Sequence, residues 1–431
     1  MRSNREFTVP SFAASLVLLM QSVTAPTAND AGAIAEPGGF RHITLGLELR
    51  NRAELTDTFF SEETNRLLLP RVRLNAAFRP TSAVRFVIQA QDVRSICLRS
   101  GSLRSDLSDP FDLRLAYFAV GHSEQGFELR AGRQELSVGD ERLLGADSYW
   151  DWFGPVYDAV GFHYARGALR AQAFVGQRVV PSTRQPDRSD RHNRIAGAVM
   201  SWTTRGQRLI EPYLILRSAP GVEEVPSERQ TFSPGFRAQG PFLGSGDYNV
   251  EMVLQRGRVG FNRVSAWAGH WEGGWKPLGA EFKLRLWAEL NYASGDRDPG
   301  DRVSGTFDDL CPAGFNRFGI EDPIAWRNAL YPGAGAEMPL SGRLTMFAGF
   351  QRHWLATVQD GLYPGGEGYL ARNPSAGSRV GDQTALSIAF EQSRHWRVLA
   401  GFGVLWPGPF LRNTGYKRPL ASAYLVTSFQ Y

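Results

Sequence analysis

From His42 onward, nearly every window of this sequence alternates apolar and polar residues with a period of two, which excludes most folds before composition is considered. In residues 42–55 (HITLGLELRNRAEL) the apolar set Ile43, Leu45, Leu47, Leu49, Ala53 and Leu55 interleaves with His42, Thr44, Glu48, Arg50, Arg52 and Glu54. Successive side chains of a strand point to opposite faces, so this is a long two-faced strand. The pattern recurs with Val72, Leu74, Ala76 and Phe78 against Arg71, Arg73 and Asn75, and with Val84, Phe86, Ile88 and Ala90 against Arg85, Gln89 and Gln91. It continues through residues 169–175, 248–255, 282–292, 344–350, 384–390 and 398–404.

Tight and long connections take turns between these strands. Residues 79–83, 166–167, 203–207, 339–342 and 392–395 read as short turns, whereas 93–110, 137–156, 178–193, 294–328 and 356–379 are long and polar. A soluble sandwich has no reason to sort its loops this way, but an outer-membrane barrel has short periplasmic turns and long outer loops. About eighteen strands fit, at roughly 22 residues per strand and connection. The non-apolar face carries Arg, Glu, Gln and Asn in strand after strand, as a water-filled lumen would. The expected architecture is therefore an all-β, transmembrane, antiparallel up-and-down β-barrel, wet inside and facing lipid outside. Tyr149, Trp150, Trp152, Phe153, Trp267, Trp271, Trp354 and Trp396 lie near proposed strand ends, where interfacial girdles form. The last residues place Ala423, Leu425, Thr427, Phe429 and Tyr431 on alternate positions, resembling the end strand that outer-membrane assembly machinery recognises.

The N-terminus reads as an export signal. Arg2 and Arg5 form a basic start, residues 11–24 an apolar stretch too short to span, and small residues follow at Ala25, Ala28, Ala31 and Ala33. Cleavage is expected between 25 and 33, leaving residues 34–431 as one barrel domain. The longest apolar run, 12–20, is well short of the ~20 residues a spanning helix needs, which excludes a helical membrane protein. Only two cysteines occur, far apart, so neither a zinc ribbon nor a disulfide scaffold is available. Lys stands only at 276, 283 and 417, so 45 of the 48 basic residues are Arg. They are spread along the chain instead of forming a basic run, which argues against nucleic acid. Guanidinium grips carboxylates in a planar fork, so such a surface favours acidic partners.

Two segments carry more than a barrel pattern. Residues 130–164 contain Gly132, Arg133, Gln134, Glu135, Leu136, Gly139, Asp140, Arg142, Leu143, Leu144 and Gly145; residues 291–327 contain 292–296, Asp298, Pro299, 304–308, Leu310 and Pro312. Together with 360–363 (DGLY) and the 407–415 stretch, they resemble the alginate export family of outer-membrane β-barrels, from about Leu47 to Tyr431. The resemblance implies an 18-stranded monomeric barrel with an Arg-lined, electropositive pore that passes an anionic saccharide or small anion. The sequence departs from the family at Cys311, where an aromatic or apolar residue is usual. Two transport readings stay open, a channel for anionic solutes of sugar-acid type and a dedicated exporter of an anionic exopolysaccharide such as alginate, with a barrel enzyme or adhesin as the reading from another class.

Arg50, Arg52, Arg71, Arg73, Arg85, Arg114 and Arg130 sit on the polar phase of the first five strands, and Arg133 and Glu135 follow them as pore-lining candidates. Facing a lumen, they would concentrate anions and repel cations. Alternatively they pair with Glu48, Glu54, Glu128 and Glu135 in a lattice that stiffens the wall. Residues 137–156 hold Asp140, Glu141, Arg142, Asp147, Trp150 and Asp151, mixed charge and aromatics that fold inward as a constriction or pack on the rim. Asp296, Asp298 and Asp301 are spaced like Ca²⁺ oxygen donors, but Gly300 stands at the fifth position and no Glu at the twelfth, so a solvated turn is preferred. His122, Ser123 and His163 suggest catalysis only weakly, since no G-x-S-x-G elbow exists. Seven His give no support for a transition-metal site and no cofactor is expected. Cys97 and Cys311 fall in loops on the same side of the membrane, and an oxidising compartment makes a disulfide between them the expectation, tying loop 294–328 across the pore mouth.

Overall fold

The computed structural model describes residues 42–59, 61–98, 108–146, 153–220, 228–277, 283–312, 324–364 and 368–431. The expected export signal and cleavage site, and Asp147, Tyr149, Trp150, Asp151 and Trp152, lie outside the described residues. Eighteen wall strands follow one another in chain order. The first six are β1 (Ile43–Thr58), β2 (Ser61–Thr81), β3 (Val84–Val93), β4 (Asp109–Gly121), β5 (Gly126–Gln134) and β6 (Tyr157–Arg166). Next come β7 (Leu169–Val180), β8 (Arg188–Thr203), β9 (Leu209–Ala219), β10 (Arg229–Phe242), β11 (Gly246–Val259) and β12 (Asn262–Trp275). The last are β13 (Arg285–Ala293), β14 (Ala329–Pro339), β15 (Leu344–Leu355), β16 (Arg379–Glu391), β17 (Trp396–Pro407) and β18 (Leu420–Gln430). Each pairs antiparallel with its neighbour, and β18 returns to β1 with Leu49 opposite Phe429 and Leu55 opposite Ala423. Closure leaves no strand edge unpaired in lipid, the condition for a sheet to span a membrane.

Burial runs opposite to that of a soluble protein. Leu45 is 71% exposed, Leu74 51% and Val175 58%, whereas Arg73, Gln255 and Asn291 are 0% exposed. The apolar phase is thus the outer face and the polar phase the inner one, as the alternation predicts. With an even strand count, the connections 94–108, 135–156, 294–328, 356–378 and 408–419 all emerge at one end, and the turns 82–83, 122–125, 167–168 and 340–343 at the other. The long-loop end is outer. Residues 178–193, expected as one long loop, are mostly strand: only 181–187 separate β7 from β8. The reason is that 188–194 (RSDRHNR) carries no apolar phase, so period-two reasoning loses a strand that has water on both sides.

The lumen is not uniformly wet. Leu136, Val138, Leu143 and Leu144 from insert 135–156 are buried, and they belong to one apolar cluster with Tyr157, Phe174, Ile195, Tyr213, Ile215 and Val253 of the wall. Phe307, Ile324 and Trp326 of insert 294–328 and Leu362 of insert 356–378 join the same cluster. The hydrophobic core therefore lies inside the barrel, where long outer connections fold inward. The uniformly water-filled interior inferred from strand polarity does not hold on this side, and on the arginine-bearing wall Arg50, Arg52, Arg71 and Arg73 are themselves buried.

Candidate functional site

The arginine wall is built by β1 to β5, whose inward phase presents Arg50, Arg52, Arg71, Arg73, Arg85, Arg114 and Arg130. The glutamates pair with it. Arg71 donates to Glu48 through Nε and Nη2 at 2.9 and 2.6 Å, and Arg73 stands 3.7 Å from the same carboxylate. Arg52 meets Glu54 at 2.7 Å, and Glu128 takes both Arg85 at 3.1 Å and Arg130 at 2.9 Å. Arg114 reaches Glu135 at 2.6 Å. Seven inward arginines thus share four glutamates, so the lattice and the positive wall are one construction. Pairing fixes the guanidiniums in place, and on this wall arginines outnumber the glutamates that hold them.

Insert 135–156 leaves this wall and crosses the lumen. At its far reach Asp140 stands 3.1 Å from Arg237 on β10, Arg237 also donates to the Gly139 carbonyl at 3.0 Å, and the Asp140 amide donates to Glu251 on β11 at 3.0 Å. Arg142 approaches His270 Nε2 at 3.1 Å and Asn291 Oδ1 at 3.4 Å, on β12 and β13. On the return, the Phe153 carbonyl accepts from Arg114 Nε at 3.1 Å, Gln91 at 3.1 Å and Arg73 at 3.4 Å. Of the two alternatives for this segment, the described residues fold inward; Asp140 and Arg142 are buried, and Glu141 turns through a positive φ of 58°. A cavity of about 500 Å³ remains beside the return limb, lined by Arg114, Phe153, Arg178, Asp109, Ser182 and Asp187. Asp187 lies in the short outer loop, where burial, reinforced by Asp112, pushes its carboxyl up to about 6.

Insert 294–328 docks on the opposite wall. Asp308 receives Arg217 of β9 at 2.8 Å, Arg229 of β10, and Arg327 at 3.0 Å. Burial pushes the Asp308 carboxyl up, but Arg327, Arg229 and Arg217 outweigh it and hold it well below the usual carboxylate range. Gln255 of β11 pairs with the Asp308 backbone in both directions, at 2.8 and 2.6 Å. The inserts also bind one another: the Cys311 amide donates to the Leu143 carbonyl at 3.1 Å, and Gly145 donates back to Cys311 at 3.0 Å.

The model of the family described as alginate export matches residues 41–419. The chain belongs to the alginate export family. No curated protein sequence matches it. Among crystal structures, it is similar to three Pseudomonas aeruginosa barrels. OccK3 (OpdO) has a TM-score of 0.60 at 13% identity over 90% of this chain and 95% of that one. OccK2 (OpdF) in complex with glucuronate has a TM-score of 0.58 at 10% identity, covering 90% and 97%. OpdK with vanillate has a TM-score of 0.61 at 11% identity, covering 90% and 98%. This alginate export family member is an outer-membrane β-barrel of a Gram-negative bacterium, a channel and not an enzyme.

Two sequence expectations need correction in this family member. Arg133 does not face the pore: it falls on the outward phase of β5 with Phe127 and Leu129, and pairs with Asp158 at 3.0 Å. The hairpin alternates strictly through Gly132, and adjacent arginines three apart cannot share a face. Cys97 and Cys311 are not joined in a disulfide. Cys97 lies against the wall opposite Leu67, while Cys311 is drawn into the lumen by Leu143 and Gly145, so emerging on one side of the membrane did not bring them together. The Asp296, Asp298 and Asp301 carboxylates accept from the turn's own amides, at Asp298, Gly300 and Val303, as a solvated turn does. Sequence reasoning missed Arg237, Glu251 and Gln255, which anchor the inserts, and the juxtaposition of His270, Glu272 and Glu289, whose ligand atoms lie within 4.8 Å of one another. Arg142 occupies that cup. Only cross-strand register, Glu272 opposite Glu289, could have revealed it.

Proposed function

We propose that the protein is a passive outer-membrane channel for anionic solutes of sugar-acid type, with the β1–β5 arginine wall as its selectivity surface. The observation that carries this reading is the excess of inward arginines over glutamates on that wall, where Arg71 and Arg73 share a single carboxylate. Arginines held in place by carboxylates act on a passing solute through their field, which draws carboxylates toward the wall and repels cations. Family membership supports the reading, and so does the fold likeness to barrels crystallised with glucuronate and vanillate, both carboxylates. Inserts that cross the lumen from one wall to the other favour small solutes over a polymer chain. Proteoliposomes test this: glucuronate should enter faster than glucose of similar size, and equal rates for the two would contradict the reading.

A further inference from the structure

We propose that Arg217, Arg229 and Arg327 form a carboxylate-binding site at the outer mouth that the chain's own Asp308 fills in this structure, and that a uronate carboxylate competes for it and releases segment 305–312. The inference rests on the anion-channel reading and adds a place and a consequence to it.

The site is defined mostly by groups other than Asp308. Arg217 lies on the inward phase near the end of β9 and Arg229 begins that of β10, so the antiparallel ladder holds both at the long-loop end of the barrel. Arg217 is steadied by Asn193 Oδ1 at 3.1 Å and Arg327 by Asp309 Oδ1 at 2.7 Å. Three guanidiniums therefore converge on one carboxylate while two of them keep other anchors, so the cluster persists when that carboxylate leaves. Asp308 Oδ2 accepts from Arg217 and Arg229, and Oδ1 from Arg327 and the Leu310 amide at 3.2 Å. These are the contacts any carboxylate would make there, and a uronate carries the same group. Intramolecular attachment gives Asp308 a concentration advantage that dissolved ligand must match, which makes the response graded with solute.

Release of the segment has a reporter already in the chain. Cys311, three residues beyond Asp308, is half-buried against the apolar cluster and held by Leu143 and Gly145. With Cys97→Ser as background, the rate at which a membrane-impermeant maleimide labels Cys311 in proteoliposomes reads the undocking of 305–312. Glucuronate should raise that rate several-fold, and glucose or KCl at matched ionic strength should not. Asp308→Asn should label at the accelerated rate without glucuronate, and its folding is checked by the heat-shifted gel mobility of a closed barrel. If glucuronate leaves the rate unchanged, or KCl raises it equally, the cluster is a structural ion network and the proposal fails; should Asp308→Asn not fold, the glucuronate arm alone decides. The channel reading is tested separately by ion selectivity, so a cation-selective pore and an unresponsive Cys311 are distinct failures.

Discussion

At the scale of single residues, Glu48 shows why charge in the lumen cannot be read as free charge. It binds Arg71 in a two-pronged contact and lies near Arg73, all three nearly fully buried. Removing one member of such a group strands the other, at a cost of about 3–5 kcal/mol where water is excluded. Reversing Arg71 to Glu should therefore impair folding, while Arg73→Gln, which keeps a partner for Gln91, should leave a folded barrel with weaker anion preference; refolding yield and reversal potential separate the two. Asp187 supplies a pH response. Its folded pKa of about 6 lies above the usual carboxylate value, so it contributes stability that is present below pH ~4 and lost as pH rises through 6. Ionisation also places a negative charge in the cavity lined by Arg114 and Arg178. Anion conductance should fall between pH 5 and 7 in the native protein and stay flat in Asp187→Asn. An unchanged profile in the variant would assign the titration elsewhere.

At the scale of elements, strands were legible and inserts were not. The run Ile43–Thr58 declares both faces because lipid and lumen impose opposite polarity on successive residues. That reading fails at Arg133, where charge near the rim sits on the outer phase, and at residues 188–194, where no apolar phase survives above the membrane. The inserts carry no periodicity, and their contacts are set by register between distant strands. The long motif around Asp308 marked its segment as special without saying that three arginines meet there. Two expectations follow for these elements. Leu74→Arg should cost roughly 2–4 kcal/mol of barrel stability, the penalty for a cation on the lipid face near the midplane, in a denaturant titration. Gly139→Ala should unseat insert 135–156, because Gly139 has φ of +66° and a Cβ there would strike the Glu251 carboxylate. Single-channel conductance should rise in this variant, and a value equal to the native one would show that the insert does not limit flow.

For the whole molecule, the barrel wall and the material inside it divide the work. Eighteen antiparallel strands satisfy their backbone without water and hold an arginine face on β1–β5. The described parts of inserts 135–156, 294–328 and 356–378 pack buried apolar side chains against the wall inside the barrel. The fold was visible in the sequence because it follows from alternation alone. The division of the lumen was not, because it depends on which loops turn inward and on cross-lumen partners such as Asp140 with Arg237. The central claim is that the remaining path is electropositive. Reversal potential in a planar bilayer under a KCl gradient tests it most directly, with the purified native protein. The account predicts a potential with the sign of the chloride equilibrium potential, weakening in Arg73→Gln. A potential with the sign of the potassium equilibrium potential would contradict it.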